Sequence, residues 1–164
     1  MENRQRMDAK TLILVRHGKA VSSMDEGDDF ARNLTGRGIA DVCALGRLLK
    51  EKNLIPDAIL SSPACRTAQT ARLLALELGL DPDRDIVYEA ALYLGSLRQI
   101  ESSIQTQLGV LDSLIYVGHN PEIGSLALYW SAGEAMHFPT AACVALDWNG
   151  PADARTLWYH TPLI

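Results

Sequence analysis

Cysteine is scarce: the chain has three, Cys43, Cys65 and Cys143, an odd number spread widely along 164 residues. That suits buried thiols in a reducing compartment better than a disulfide framework, so a cytoplasmic location is expected. Positive charge is also short, with 15 Lys and Arg against 20 Asp and Glu, a net charge of −5. Bulk electrostatics therefore support neither a nucleic-acid partner nor a membrane surface, although a local cationic pocket can sit inside an acidic envelope. No apolar run approaches the ~20 residues that span a bilayer. The opening MENRQRMDAK is polar, with no apolar stretch behind it, so residues 1–10 read as a flexible leader and not as a signal peptide. No repeat, low-complexity tract or linker interrupts the rest of the chain, and residues 11–164 read as a single domain.

What the chain does have is apolar residues, 48% of the total, arranged in alternating patterns. Short apolar runs at 11–15, 56–62, 85–89 and 113–119 read as strands. Between them lie helical periods. The first follows Thr35 as N-cap, with Ile39, Val42, Leu45, Leu48 and Leu49 on one face. The second starts at Ser62 as cap with Pro63 in its first turn, and stops at Gly79. The third, 96–108, carries Leu97, Ile100, Ile104 and Leu108, and the fourth follows Asn120 as cap. The tail, AACVALDW and RTLWYH around NGPADA, reads as an antiparallel hairpin. The order β-α-β-α-β-α-β-α-β-β predicts an α/β fold, a three-layer α/β/α sandwich with a mostly parallel sheet and an antiparallel strand near the C-terminus.

In such sheets ligands bind beyond the carboxyl ends of the strands. The first strand ends in Arg16-His17-Gly18, the second leads through Ser61-Ser62-Pro63 to Arg66, and the fourth ends in Gly118-His119-Asn120-Pro121. On one rim these supply two guanidiniums, two imidazoles and two helix N-termini, a set that suits a compact anion such as phosphate. Gly18 lets backbone approach closely. His137 and His160 have no such company and read as structural. Neither histidine of the rim has an HxxxH or CxxC companion, so no metal and no cofactor is expected. A P-loop is absent, and the cysteine-phosphatase signature fails because the position it reserves for arginine after Cys65 is Ala71.

RHG after the first strand, SSPACRTAQTA, VGHNP and LTGRG before the first long helix together resemble the histidine phosphatase superfamily, the phosphoglycerate mutase-like fold. The short chain, with VGHNP and FPTAACVALDW, is most similar to the SixA-type phosphohistidine phosphatases. The resemblance implies His17 as a nucleophile that carries the phosphoryl group, with Arg16, Arg66 and His119 holding its oxygens and Gly18 and Asn120 lining the phosphate site. A nucleophilic imidazole must be neutral, so its other nitrogen should donate to a backbone carbonyl near Gly18, whereas a protonated His119 is preferred. Larger members use a carboxylic acid after the third strand as proton donor. Glu89 is the nearest match, with Asp28 and Asp29 as alternatives. The implied substrate is phosphohistidine in a protein. The alternatives are a broad small-molecule phosphomonoesterase and a non-catalytic phosphate-binding module. Only the segments 21–33 and 90–96 are available to cover the pocket.

Overall fold

β-Branched and leucine side chains in Lys10–Arg16 form β1, and its residues alternate between two cores. Leu12 and Leu14 point to one face of the sheet, Ile13 and Val15 to the other. The computed structural model describes residues 9–23 and 27–163. The leader read for residues 1–10 lies outside these except for Ala9 and Lys10, and Lys10 already opens β1.

The further elements are α1 (Gly36–Glu51), β2 (Ala58–Ser61), α2 (Cys65–Leu78), β3 (Ile86–Tyr88), a 3-10 turn at Ala90–Leu92, α3 (Leu97–Leu108), β4 (Ser113–Gly118), α4 (Glu122–Trp130), β5 (Cys143–Trp148) and β6 (Ala154–His160). The six strands form one sheet in the order β3-β2-β4-β1-β5-β6. β1 to β4 run parallel, β5 is antiparallel to β1, and β6 returns antiparallel to β5. α1 and α2 cover the face of Ile13 and Val15, while α3 and α4 cover the face of Leu12 and Leu14. This is the predicted three-layer α/β/α sandwich. The chain leaves β1 toward β2 but leaves β4 toward β5, so the strand order reverses around β1 and β4. A crevice opens at such a point. Among the described residues no helix is long and apolar enough to cross a membrane.

Two helices begin differently from the sequence reading. α2 starts at Cys65 with Ala64 as cap, because the Ser62 carbonyl is taken by the Thr67 hydroxyl at 2.8 Å and the chain is still turning there. α4 starts at Glu122 after a cis Asn120–Pro121 bond, although Asn120 Oδ1 does accept from the Gly124 amide at 3.0 Å. Thr35 caps α1 as expected, its hydroxyl accepting from the Gly38 amide at 3.0 Å. The inner stripe of α1 is rotated, however. Ile39 is 44% exposed, and the buried positions are Gly38, Val42, Leu45, Gly46 and Leu49. The two glycines explain the rotation: a Cβ on Gly38 would lie 2.2 Å from the Lys19 carbonyl oxygen, and one on Gly46 2.6 Å from Glu77 Cβ of α2. Backbone-close packing outcompetes the isoleucine. Leu97 likewise stays 39% exposed at the first position of α3, while Ile100, Ile104 and Leu108 form its buried face.

Candidate active site

Parallel pairing of β1 with β4, and of β4 with β2, sets Arg16 beside Gly118 and Ser61 beside Val117. The residues that follow each strand therefore emerge at one level. The rings of His17 and His119 lie 5.5 Å apart between centroids. Arg66, in the first turn of α2, is 6% exposed, as is His17. Arg66 and Arg16 both act electrostatically on the two imidazoles.

Backbone carbonyls hold His17 and the two arginines, and a hydroxyl meets His119. His17 Nδ1 lies 2.7 Å from the Gly18 carbonyl, an acceptor, so Nδ1 carries the proton and Nε2 keeps its lone pair. Arg16 Nη1 donates to the Phe138 carbonyl at 3.3 Å. In the loop before β5 the one Ala141 amide is shared between the carbonyls of Arg16 and His17. His119 Nε2 sits 2.9 Å from Ser62 Oγ. Thr70 on α2 accepts from the Gly18 amide at 3.1 Å and donates to the Arg66 carbonyl at 2.7 Å, joining the end of β1 and the start of α2. Gly18 is required there: a Cβ would meet Val42 Cγ2 at 2.8 Å and the Gly38 carbonyl at 2.9 Å.

Burial, above all, pushes the His17 pKa down to about 3, with His119, Arg66 and Arg16 adding repulsion. Burial and Arg66 bring His119 to about 4, against a smaller upward pull from Asp29. Both imidazoles are neutral at pH 7 in this structure. For His17 that is the state expected of a nucleophile. For His119 it departs from the protonated form read from the sequence, since a charge there faces burial and three guanidiniums. The free Nε2 lone pair of His17 can receive a phosphoryl group, and the guanidinium N–H groups beside it can hold the oxygens.

The histidine phosphatase superfamily (branch 1) family model matches residues 12–89. An uncharacterized protein of Picosynechococcus is 32% identical over 128 residues, 77% of this chain and 76% of that protein. A solved structure assigned as the phosphohistidine phosphatase SixA of Agrobacterium tumefaciens is 28% identical, with a TM-score of 0.81 over 93% of this chain and 98% of the other. Another, assigned as SixA of Nakamurella multipartitia, is 25% identical, with a TM-score of 0.80 over 95% and 98%. The chain belongs to the histidine phosphatase superfamily. It is a phosphatase, a hydrolase of SixA type.

Within this histidine phosphatase the four nitrogen-bearing side chains come together, and the other sequence-predicted residues have more specific placements. Gly18 spends its amide on Thr70 and its carbonyl on His17. Asn120 spends both ends of its amide on the protein, Nδ2 on the Phe138 carbonyl at 3.2 Å and Oδ1 on Gly124. Both brace the site: Gly18 has no backbone group left over, while Asn120 keeps one N–H of its amide. The α2 N-terminus is also partly closed, the Cys65 amide donating to the Phe30 carbonyl at 3.0 Å. Glu89 stands just past β3, its amide bonded to the Ser61 carbonyl at 3.3 Å and its carboxylate accepting from Ser103 Oγ at 2.6 Å. Asp28 is exposed and accepts from the Phe30 amide at 3.1 Å. Asp29 reaches Arg66 at 3.2 Å.

Four residues escaped the sequence reading as site components: Ser62, Thr70, Tyr93 and Phe30. Ser62 and Thr70 stand inside the SSPACRTAQTA motif, where Ser62 reads as a helix cap and Thr70 only as part of the pattern. Tyr93 and Phe30 lie in the two covering segments, and their rings meet edge-on at 5.0 Å, with Tyr93 also 5.7 Å from His119. Lys19 is exposed and lines a hollow of about 470 Å³ with Arg37, Asp41, His137 and Pro139, whose walls include none of the four clustered side chains. Among the described residues no group of three or more His, Cys, Asp or Glu could hold a metal ion.

Proposed function

We propose that the protein hydrolyses phosphohistidine on a protein substrate through a phosphoryl-enzyme intermediate on His17. The observation that carries this reading is the 2.7 Å contact between His17 Nδ1 and the Gly18 carbonyl, which fixes the tautomer that leaves Nε2 nucleophilic. In the first step the Nε2 lone pair forms a bond to phosphorus while the bond from phosphorus to the departing atom breaks. In the second, water adds to phosphorus, the Nε2–P bond breaks, and inorganic phosphate leaves with the neutral imidazole restored. Arg16 and Arg66 bind the phosphoryl oxygens in both steps. A bound dianion raises the pKa of His119 and draws a proton onto it, so the charge that burial disfavours in the free protein is gained with the substrate.

The choice of substrate rests on the leaving group. An alkoxide departs poorly without a proton from a positioned acid. Both carboxylate oxygens of Asp29 are engaged by Arg66, Arg32 and Tyr93. Among the described residues neither Glu89 nor Asp28 forms an ion pair, and each accepts one hydrogen bond, from the Ser103 hydroxyl and the Phe30 amide, so these two are the carboxyls open to that task, with Glu89 the one just after β3. An imidazole leaving from a P–N bond depends on such an acid much less.

Rates on a phosphohistidine-bearing protein and on sugar and aryl phosphates test the assignment. A preference of at least tenfold in kcat/KM for the phosphohistidine protein is expected. Glu89→Gln should slow ester hydrolysis more than phosphohistidine hydrolysis. Comparable rates across small esters would instead favour a broad phosphomonoesterase, and a single stoichiometric release of phosphate would favour a binding module.

A further inference from the structure

Arg66 meets a carboxylate that the phosphatase reading leaves without a task. Its Nη1 donates to the Asp29 carbonyl at 2.8 Å and its Nη2 to Asp29 Oδ2 at 3.2 Å, so one residue takes the end of the guanidinium fork twice. Three N–H groups are left over, and the one on Nε is buried with no hydrogen-bond partner among the described residues. A guanidinium has five N–H groups in one plane, and occupying the terminal pair leaves the edge bearing Nε for another anion.

Asp29 is itself fixed from three directions. Arg32 donates from Nε to Oδ1 at 3.1 Å, and its Nη1 reaches the Val21 carbonyl at 3.0 Å, pinning the Asp29 loop to the chain just beyond the nucleophile. The Tyr93 hydroxyl donates to Oδ2 at 2.6 Å. The Tyr93 ring stands edge-on to His119, with centroids 5.7 Å apart. Asp29 thus connects Arg66 to the aromatic neighbour of His119. Its charge also offsets a guanidinium that would otherwise be buried beside a second one, Arg16.

We infer that Asp29, with Tyr93, is a positioning residue for phosphate recognition: it holds the end of the Arg66 fork so that the Nε edge faces the phosphoryl group. The inference rests on the phosphatase reading for the identity of the anion. It also assigns the loop aspartate a role other than proton donor. An acid must carry a proton before the reaction, whereas the Tyr93 hydrogen bond and the neighbouring arginines hold the Asp29 carboxyl below its ordinary range.

Inhibition by vanadate, as a phosphoryl mimic, and turnover of p-nitrophenyl phosphate separate the possibilities. They are measured for the unaltered protein, Asp29→Asn, Tyr93→Phe, Arg66→Ala and the Asp29→Asn/Arg66→Ala pair. Asp29→Asn should weaken vanadate inhibition and lower kcat/KM by about 10- to 100-fold. Tyr93→Phe keeps the ring and removes only the hydroxyl, and should show a smaller loss of the same sign. In the Arg66→Ala background Asp29→Asn should change either quantity less than about twofold, because the group it positions is gone. Equal losses with and without Arg66 would overturn the inference, as would a loss of kcat with unchanged vanadate inhibition, the mark of a proton donor. Should Asp29→Asn fail to fold, unaltered vanadate inhibition in Tyr93→Phe overturns the link to Tyr93. If the unaltered protein binds vanadate without turning over, the phosphatase proposal fails while the positioning of Arg66 is still tested by binding.

Discussion

His17 is held neutral by the same surroundings that make it useful. Its folded pKa of about 3, and the value of about 4 for His119, lie below the ordinary histidine value of about 6.5 in an unfolded chain. Below pH 6.5 the unfolded chain binds protons that the folded one refuses, so stability falls as pH drops from 6.5 through 4 and 3. Each imidazole accounts for about 2 kcal/mol by pH 5. Urea unfolding at pH 7 and pH 5 checks this: His17→Asn should remove about half of the two-histidine loss, and an unchanged difference would contradict the assignment. For the same reason kcat/KM, corrected for substrate ionisation, should show an acid limb near pH 4 or below and none near 6.5. At this scale the sequence was most legible where a motif required a nitrogen. Arg16, His17, Arg66 and His119 could be read directly, and a backbone carbonyl near Gly18 as partner of His17 followed from the need for one tautomer. Asp29 was weighed only as an acid, because its pairing with Arg66 depends on how a loop folds back across 37 residues.

Among the elements, α1 shows how a glycine can override an apolar stripe. The reading of Ile39 as an inner residue followed the helical period correctly, yet the period says nothing of how closely two backbones approach. Gly38→Ala places a methyl 2.2 Å from the Lys19 carbonyl, where backbone must move. It should destabilise by about 2–3 kcal/mol, and it should lower kcat as well, because Lys19 continues directly from His17 and Gly18. Gly36, at the first position of the same helix, has nothing within 4 Å of the point a Cβ would occupy, and Gly36→Ala should cost nothing or stabilise slightly. Denaturant midpoints for the pair read both effects. If Gly38→Ala melts like Gly36→Ala, the close packing of α1 on the nucleophile's loop is wrong.

The whole molecule turns a one-dimensional pattern into a pocket through its strand order. Alternation of strands and helices was enough to predict three layers and a shared rim, because parallel strands connected by helices end on the same side. It was not enough to show which loops would cover that rim. Phe30 and Tyr93 come from segments with no strong periodicity, and they meet only once β3 lies beside β2. The arrangement of the four nitrogen-bearing groups is the central claim, and its chemical content is a covalent bond at one atom. Brief reaction with a 32P-labelled phosphohistidine protein, followed by rapid quenching and peptide mapping under alkaline conditions, tests it most directly. The account predicts acid-labile label on the peptide containing His17, and neither label nor turnover in His17→Ala. Label on another residue, or full turnover in His17→Ala, would contradict it.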